Sequence, residues 1–170
     1  KPSEKGSLSN LAFAEILAEA NFPPGVVNVV AGQDRQLGAR LVEHPQVDMV
    51  SLTGSTATGK KVMASAANTI KKVALELGGK NPNIVFEDAD VEEAVQWSIY
   101  GAFADQGQIC VSGSRLLLHE QVYEDFLALL VEKVGALKIG DTMVDDTDVG
   151  PVITRAHEDK VLDYIELGQQ

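Results

Sequence analysis

The chain has 170 residues, 45% of them hydrophobic, which suffices for one domain or parts of two with a core of useful size. A net charge of −11 repels phosphate backbones and excludes nucleic acid as a partner. No apolar run approaches the roughly 18 residues of a membrane span, so a membrane is excluded too.

Ser7 to Asn21 places Leu8, Leu11, Ala12, Ile16 and Ala20 at near-helical spacing and stops at Asn21-Phe22-Pro23-Pro24-Gly25. The β-branched run Val26 to Val30, closed by Ala31-Gly32, predicts a buried strand. Asp34 caps a helix through Glu43, with Leu37 and Leu41 facing inward. Val47 to Leu52 is the next expected strand. A helix from Ser55 to about Asn68 carries Val62, Met63 and Ala66 on one side, and Val73 to Leu77 is a third strand. Such β-α-β-α-β alternation predicts parallel strands joined by right-handed helical crossovers.

After Gly78-Gly79 the character changes. Pro82 to Phe86 predicts a strand, Asp90 with Glu93 a capping box for a helix toward Ala104, Arg115 to His119 a strand, and Val122 to Leu137 a helix with Phe126, Leu129, Leu130 and Val134 inward. A loop from Gly140 to Pro151 leads to a last helix from about Arg155. Residues 1–78 hold 8 basic and 7 acidic side chains, residues 79–170 hold 6 and 18, so charge and pattern together predict a domain boundary near 79. The acidic half reads as a solvated surface. The opening Lys1-Pro2-Ser3-Glu4 reads as the middle of a longer protein, and it is not a secretory signal.

Gly107-Gln108-Ile109-Cys110-Val111-Ser112-Gly113-Ser114-Arg115 contains the single cysteine. A lone thiol is either core filler or a nucleophile; flanking glycines and polar neighbours favour the nucleophile. One cysteine excludes an internal disulfide framework and agrees with a reducing, cytoplasmic compartment. Leu75-Glu76-Leu77-Gly78-Gly79-Lys80 sets a carboxylate among apolar residues at a strand end, where desolvation suits a general base. His44, His119 and His157 are scattered without metal-ligand spacing.

Ligands of open parallel sheets gather beyond the carboxyl ends of the strands, where Gly32, Gly54-Ser55 and Glu76-Leu77-Gly78 accumulate. Each glycine is equally readable as a turn or helix cap. Gly54 to Lys60 also has the spacing of a nucleoside-triphosphate loop, Gly-x-x-x-x-Gly-Lys, but Lys61 stands where a hydroxyl should hold magnesium.

Lys1-Pro2-Ser3-Glu4, Ser51-Leu52-Thr53-Gly54-Ser55, Leu75 to Lys80, Gly107 to Arg115 and Gly150-Pro151-Val152-Ile153, in that order, resemble the aldehyde dehydrogenase superfamily, non-acylating type. The resemblance covers essentially the whole chain and matches about the middle third of a full member. It implies an α/β fold: part of a Rossmann-like NAD-binding domain over 1–78, then the first part of a catalytic domain over 79–170.

Further implications follow residue by residue. Cys110 matches the nucleophile that forms a thioester, its backbone N–H part of the oxyanion site, and Glu76 the base that activates hydrolytic water. Lys1 and Glu4 match the residues that hold the adenosine ribose, with Glu4 disfavouring NADP against NAD. Ser55 with Gly54 matches the pyrophosphate contact, and Gly78 lies in the loop beside the nicotinamide. Without a ligand, Glu4 and Ser55 would be helix caps and Gly78 a turn residue. The implied activity is oxidation of a small-molecule aldehyde to a carboxylic acid in a homo-oligomer, dimer or tetramer, at full length. The oxyanion-hole asparagine and the glutamate that grips the nicotinamide ribose have no match in the chain, so these 170 residues alone are expected to have little activity. Coenzyme A as acyl acceptor, and a non-catalytic descendant of the fold, are the alternatives; Glu76 speaks for water, and Cys110 with Glu76 for catalysis. Trp97 and Phe103 read as core residues or as an aromatic tunnel lining, and the aldehyde itself is not specified.

Overall fold

The computed structural model describes residues 1–170, with side chains at 1–34 and 36–170. The chain is α/β and divides into two compact units, Lys1–Leu77 and Gly78–Gln170.

The first unit begins with helix α1, Ser7–Glu19. Its N-cap is Gly6, with no side-chain cap, so Glu4 does not cap it. At the other end Asn21 takes a left-handed φ of 54°, while the N–H of Asn21 bonds Ala18 O and that of Phe22 bonds Leu17 O at 2.9 Å. This is a Schellman stop, reinforced by Pro23-Pro24. The expected strand Val26–Val30 does not form. A strand exists by virtue of a partner, and among the described residues the backbone here makes only a turn bond, Val26 N–H to Pro23 O. Val26, Val27 and Val30 are exposed.

Helix α2, Arg35–Glu43, is capped by the Asp34 carboxylate accepting from Gln36 N–H at 2.8 Å. Leu37 is half-buried, but Leu41 is exposed rather than inward. Strand β1 runs Met49–Gly54, later than the predicted Val47, because Val47 N–H closes a turn onto His44 O. Helix α3, Thr56–Ala67, then crosses over to β2, Lys72–Leu77, which pairs parallel with β1 from Met49↔Lys72 to Gly54↔Leu77. Val62 and Ala66 of α3 are buried, whereas Met63 points to solvent. The nearly buried Lys71 donates from Nζ to His44 O at 2.8 Å, satisfying the carbonyl at the C-cap of α2.

In the second unit β3, Pro82–Val85, pairs parallel with β4, Arg115–Leu118. Between them lie α4, Val91–Phe103, and a 3-10 turn, Ala104–Gly107. Asp90 caps α4 by accepting from Glu93 N–H at 3.0 Å, and Glu92 and Glu93 lie in its first turn, favourably placed for the helix dipole. Helix α5, Tyr123–Gly135, turns Phe126 into the core, where it is fully buried with Val95, beside Val85 and Val122. Trp97 and Phe103 are exposed, not core. Trp97 meets Tyr100 edge-on with ring centres 5.9 Å apart. Beyond a single parallel bridge, Ile139↔Val149, helix α6, Arg155–Gly168, closes the unit. No helix among the described residues is long and apolar enough to cross a membrane.

Candidate active site

Two edges carry the chemistry-bearing residues. In the first unit the parallel register sets Thr53 beside Glu76 and Gly54 beside Leu77, so Glu76, Gly54 and Ser55 share the carboxyl edge of the β1–β2 pair. Strand alternation decides where Glu76 points. Leu75 and Leu77 are half-buried on one face and Glu76 is exposed on the other, so its expected apolar surroundings are not found.

Ser55 is the N-cap of α3. Its Oγ accepts from Thr58 N–H at 3.2 Å and lies 3.0 Å from Thr58 Oγ1. The helix begins directly after this one residue, leaving no room for a phosphate-wrapping loop. Gly59, the second glycine of the Gly-x-x-x-x-Gly-Lys spacing, is buried inside the helix. A Cβ there would lie 3.0 Å from Leu77 Cδ2 and 3.5 Å from Leu75 Cδ1, so this glycine serves helix-on-strand packing. The triphosphatase reading therefore fails on geometry. Lys1 and Glu4 lie exposed ahead of α1.

In the second unit Cys110 is exposed. Three successive residues before it are left-handed: Asp105 at φ 50°, Gln106 at 55° and Gly107 at 71°. Such conformations cost of order 1 kcal/mol or more for residues with a Cβ, and here they reverse the chain as it leaves α4. Gly107 cannot be replaced freely, since a Cβ would also sit 3.1 Å from Ala102 O. The Gly150-Pro151 stretch packs against this turn. Gly150 is buried, with its Cβ position 3.4 Å from Gln106 Nε2 and 2.4 Å from Thr142 Cγ2.

The cysteine turn itself is fastened by a residue that sequence reasoning missed. Asn81 donates from Nδ2 to Cys110 O at 2.9 Å and to Ser112 O at 3.1 Å. Arg115 donates from Nε to Lys80 O at 2.9 Å, and its backbone N–H reaches Asn81 O at 3.1 Å. Asn83, two residues on, donates to Ser98 Oγ of α4 at 2.8 Å, while its Cβ underlies Gly113. The available signal was the alternation Asn81-Pro82-Asn83 at a strand start, which puts both amides on one face. Gly78 is exposed, and no atom lies within 4 Å of its Cβ position. Its φ is not left-handed, so turn geometry does not require glycine there.

Comparison with known proteins gives the same family that the motifs resemble. The family model described as "Aldehyde dehydrogenase family" matches residues 1–170. A betaine aldehyde dehydrogenase of Sinorhizobium fredii is 50% identical over 169 residues, 99% of this chain and 34% of that protein. The chloroplastic betaine aldehyde dehydrogenase of Beta vulgaris is 48% identical over 165 residues, 97% of this chain and 33% of its own length. A crystal structure of the Staphylococcus aureus betaine aldehyde dehydrogenase in complex with NAD+ superposes with a TM-score of 0.92 at 40% identity, covering 97% of this chain and 33% of that one. The chain thus spans about a third of the length of these relatives.

Proposed function

This chain belongs to the aldehyde dehydrogenase family, and on that premise we propose that it supplies the nucleophile and the general base of an NAD-dependent aldehyde oxidation carried out by a longer protein. The observation that carries the reading is Cys110: an exposed thiol on a hydrogen-bonded turn that follows the left-handed run of Asp105, Gln106 and Gly107, a setting that suits a nucleophile.

The dinucleotide's proposed contacts are Lys1 and Glu4 at the adenosine ribose, Gly54 and Ser55 at the pyrophosphate and Gly78 near the nicotinamide. The donor set fits at the pyrophosphate end. A helix N-terminus opens at Ser55 from the carboxyl end of a parallel strand, where backbone N–H groups and the helix dipole favour an anion. Openness over Gly78 also suits close approach by a ligand. Glu4 sets NAD above NADP by charge repulsion.

In the proposed reaction the Cys110 thiolate attacks the aldehyde carbon, and the Cys110 backbone N–H stabilises the resulting oxyanion. NAD, when bound, supplies the two-electron acceptor that turns the thiohemiacetal into a thioester. Glu76 then takes a proton from water as the water oxygen attacks the thioester carbon, and Cys110 leaves as a thiolate. Its exposure gives Glu76 access to water. The relatives' names favour an aldehyde bearing a quaternary ammonium group over an uncharged one. We assign the two units as parts of the NAD-binding and catalytic domains and the full-length protein as a homo-oligomer.

The test is NADH formation with betaine aldehyde by the full-length protein, its Cys110→Ala variant and the 170-residue chain alone. The reading predicts turnover only in the first. Undiminished turnover by Cys110→Ala contradicts it.

A further inference from the structure

We propose that Asn81 is a positioning residue that holds Cys110 in its reactive orientation. This inference rests on the reading of Cys110 as nucleophile.

A peptide unit is planar, so a hydrogen bond to one of its polar atoms restrains the whole unit. Ser112 N–H bonds Ile109 O at 3.1 Å, which holds the plane containing the Cys110 N–H. The following plane is held through Cys110 O by Asn81 Nδ2 at 2.9 Å. Both planes that meet at the Cys110 Cα are therefore pinned, and with them the direction of its Cα–Cβ bond and of its N–H. The second hydrogen of the Asn81 amide goes to Ser112 O at 3.1 Å, so both donors are spent on one turn. Two carbonyl acceptors also settle which way the amide faces, because its own oxygen cannot bond either of them.

Asn81 is itself fixed. Its carbonyl accepts from Arg115 N–H at 3.1 Å at the start of β4, on the far side of the same loop. The Asn81 side chain thus ties the start of the loop to a frame that its end already joins. Ser112 is 8% exposed and its Oγ has no partner among the described residues, so the turn depends on backbone bonds and Asn81 for its shape. Without the Asn81 donors, Cys110 O loses its protein partner, Ser112 O keeps only the Ser114 N–H at 2.8 Å, and the plane after Cys110 is free to rotate.

The experiment compares full-length enzyme with Asn81→Asp, which keeps the shape and removes both donors, and with Cys110→Ala. Readouts are kcat, KM for NAD, the rate of Cys110 alkylation by iodoacetamide, and the melting temperature. The expected result for Asn81→Asp is a kcat lowered about 100-fold, the scale of a misplaced reacting group, with slower alkylation and an unchanged KM for NAD. If Asn81→Asp does not fold, Asn81→Ala, which brings no oxygen against the two carbonyls, is read instead with the same expectation. Native kcat and alkylation rate in a folded Asn81 variant overturn the positioning role. Equal loss of kcat and NAD affinity with native alkylation also overturns it, since that pattern belongs to a general structural defect. Undiminished turnover by Cys110→Ala overturns the nucleophile assignment itself, whatever Asn81 does.

Discussion

Gly59 of α3 lies against Leu77 of β2 so closely that a Cβ at this position would be 3.0 Å from Leu77 Cδ2 and 3.1 Å from Cδ1. This contact sets how near the crossover helix comes to the strand whose end carries Glu76, and so where the helix start at Ser55 stands along the same edge. Gly59→Ala sets about 1–3 kcal/mol of overpacking against the roughly 1 kcal/mol that alanine gains over glycine inside a helix, so a net loss of up to about 2 kcal/mol and weaker NAD binding are expected. Urea unfolding and NAD titration of the full-length variant check both.

Gly150 offers a sharper steric test. Its Cβ position is 2.4 Å from Thr142 Cγ2, an atom on a β-branched side chain with little freedom to turn away. Gly150→Ala should cost about 1–3 kcal/mol, and Thr142→Ser, which removes Cγ2, should recover most of it in the double variant. Additive losses in the four-protein cycle would show that the clash is not the cause.

Phe126 is fully buried against a small valine-rich core in the second unit. Phe126→Ala is expected to cost about 3–5 kcal/mol, read as a lowered unfolding midpoint with chemical denaturant.

Glu4 carries the expected preference between dinucleotides. Glu4→Ser removes the charge that opposes a 2′-phosphate, so the ratio of kcat/KM for NADP to that for NAD should rise about tenfold, the effect of roughly 1.4 kcal/mol. An unchanged ratio removes Glu4 from the ribose site.

Most of this architecture is written in local signals. Asp34, Ser55 and Asp90 announce helix starts through their own side chains, and each accepts the expected backbone N–H. What failed to read correctly depends on partners distant in sequence. Val26–Val30 has strand-forming residues but no neighbouring ladder, and propensity alone does not make a strand. Glu76 was misjudged because its sequence neighbours Leu75 and Leu77 are not its spatial neighbours, since successive strand residues face opposite ways. Met63 and Leu41 are cases where helical spacing named a face wider than the one actually covered. The family was legible because a cysteine, glycines and a carboxylate in fixed order are rare by chance, and the family model matches residues 1–170. The alternation Asn81-Pro82-Asn83 sets both amides on one face, but the bond from Asn81 to Cys110 O joins residues 29 positions apart, and no local signal names that partner.

In the proposed reaction Cys110 carries the substrate as a thioester that Glu76 helps to hydrolyse. Its most direct test is intact-mass and peptide analysis of the full-length Glu76→Gln variant, quenched in acid soon after mixing with NAD and aldehyde. An added mass equal to the acyl group is expected on the peptide containing Cys110, accumulating to near one per active site while turnover is slow. An unmodified Cys110 peptide, in a variant that still forms NADH at the native rate, would contradict it.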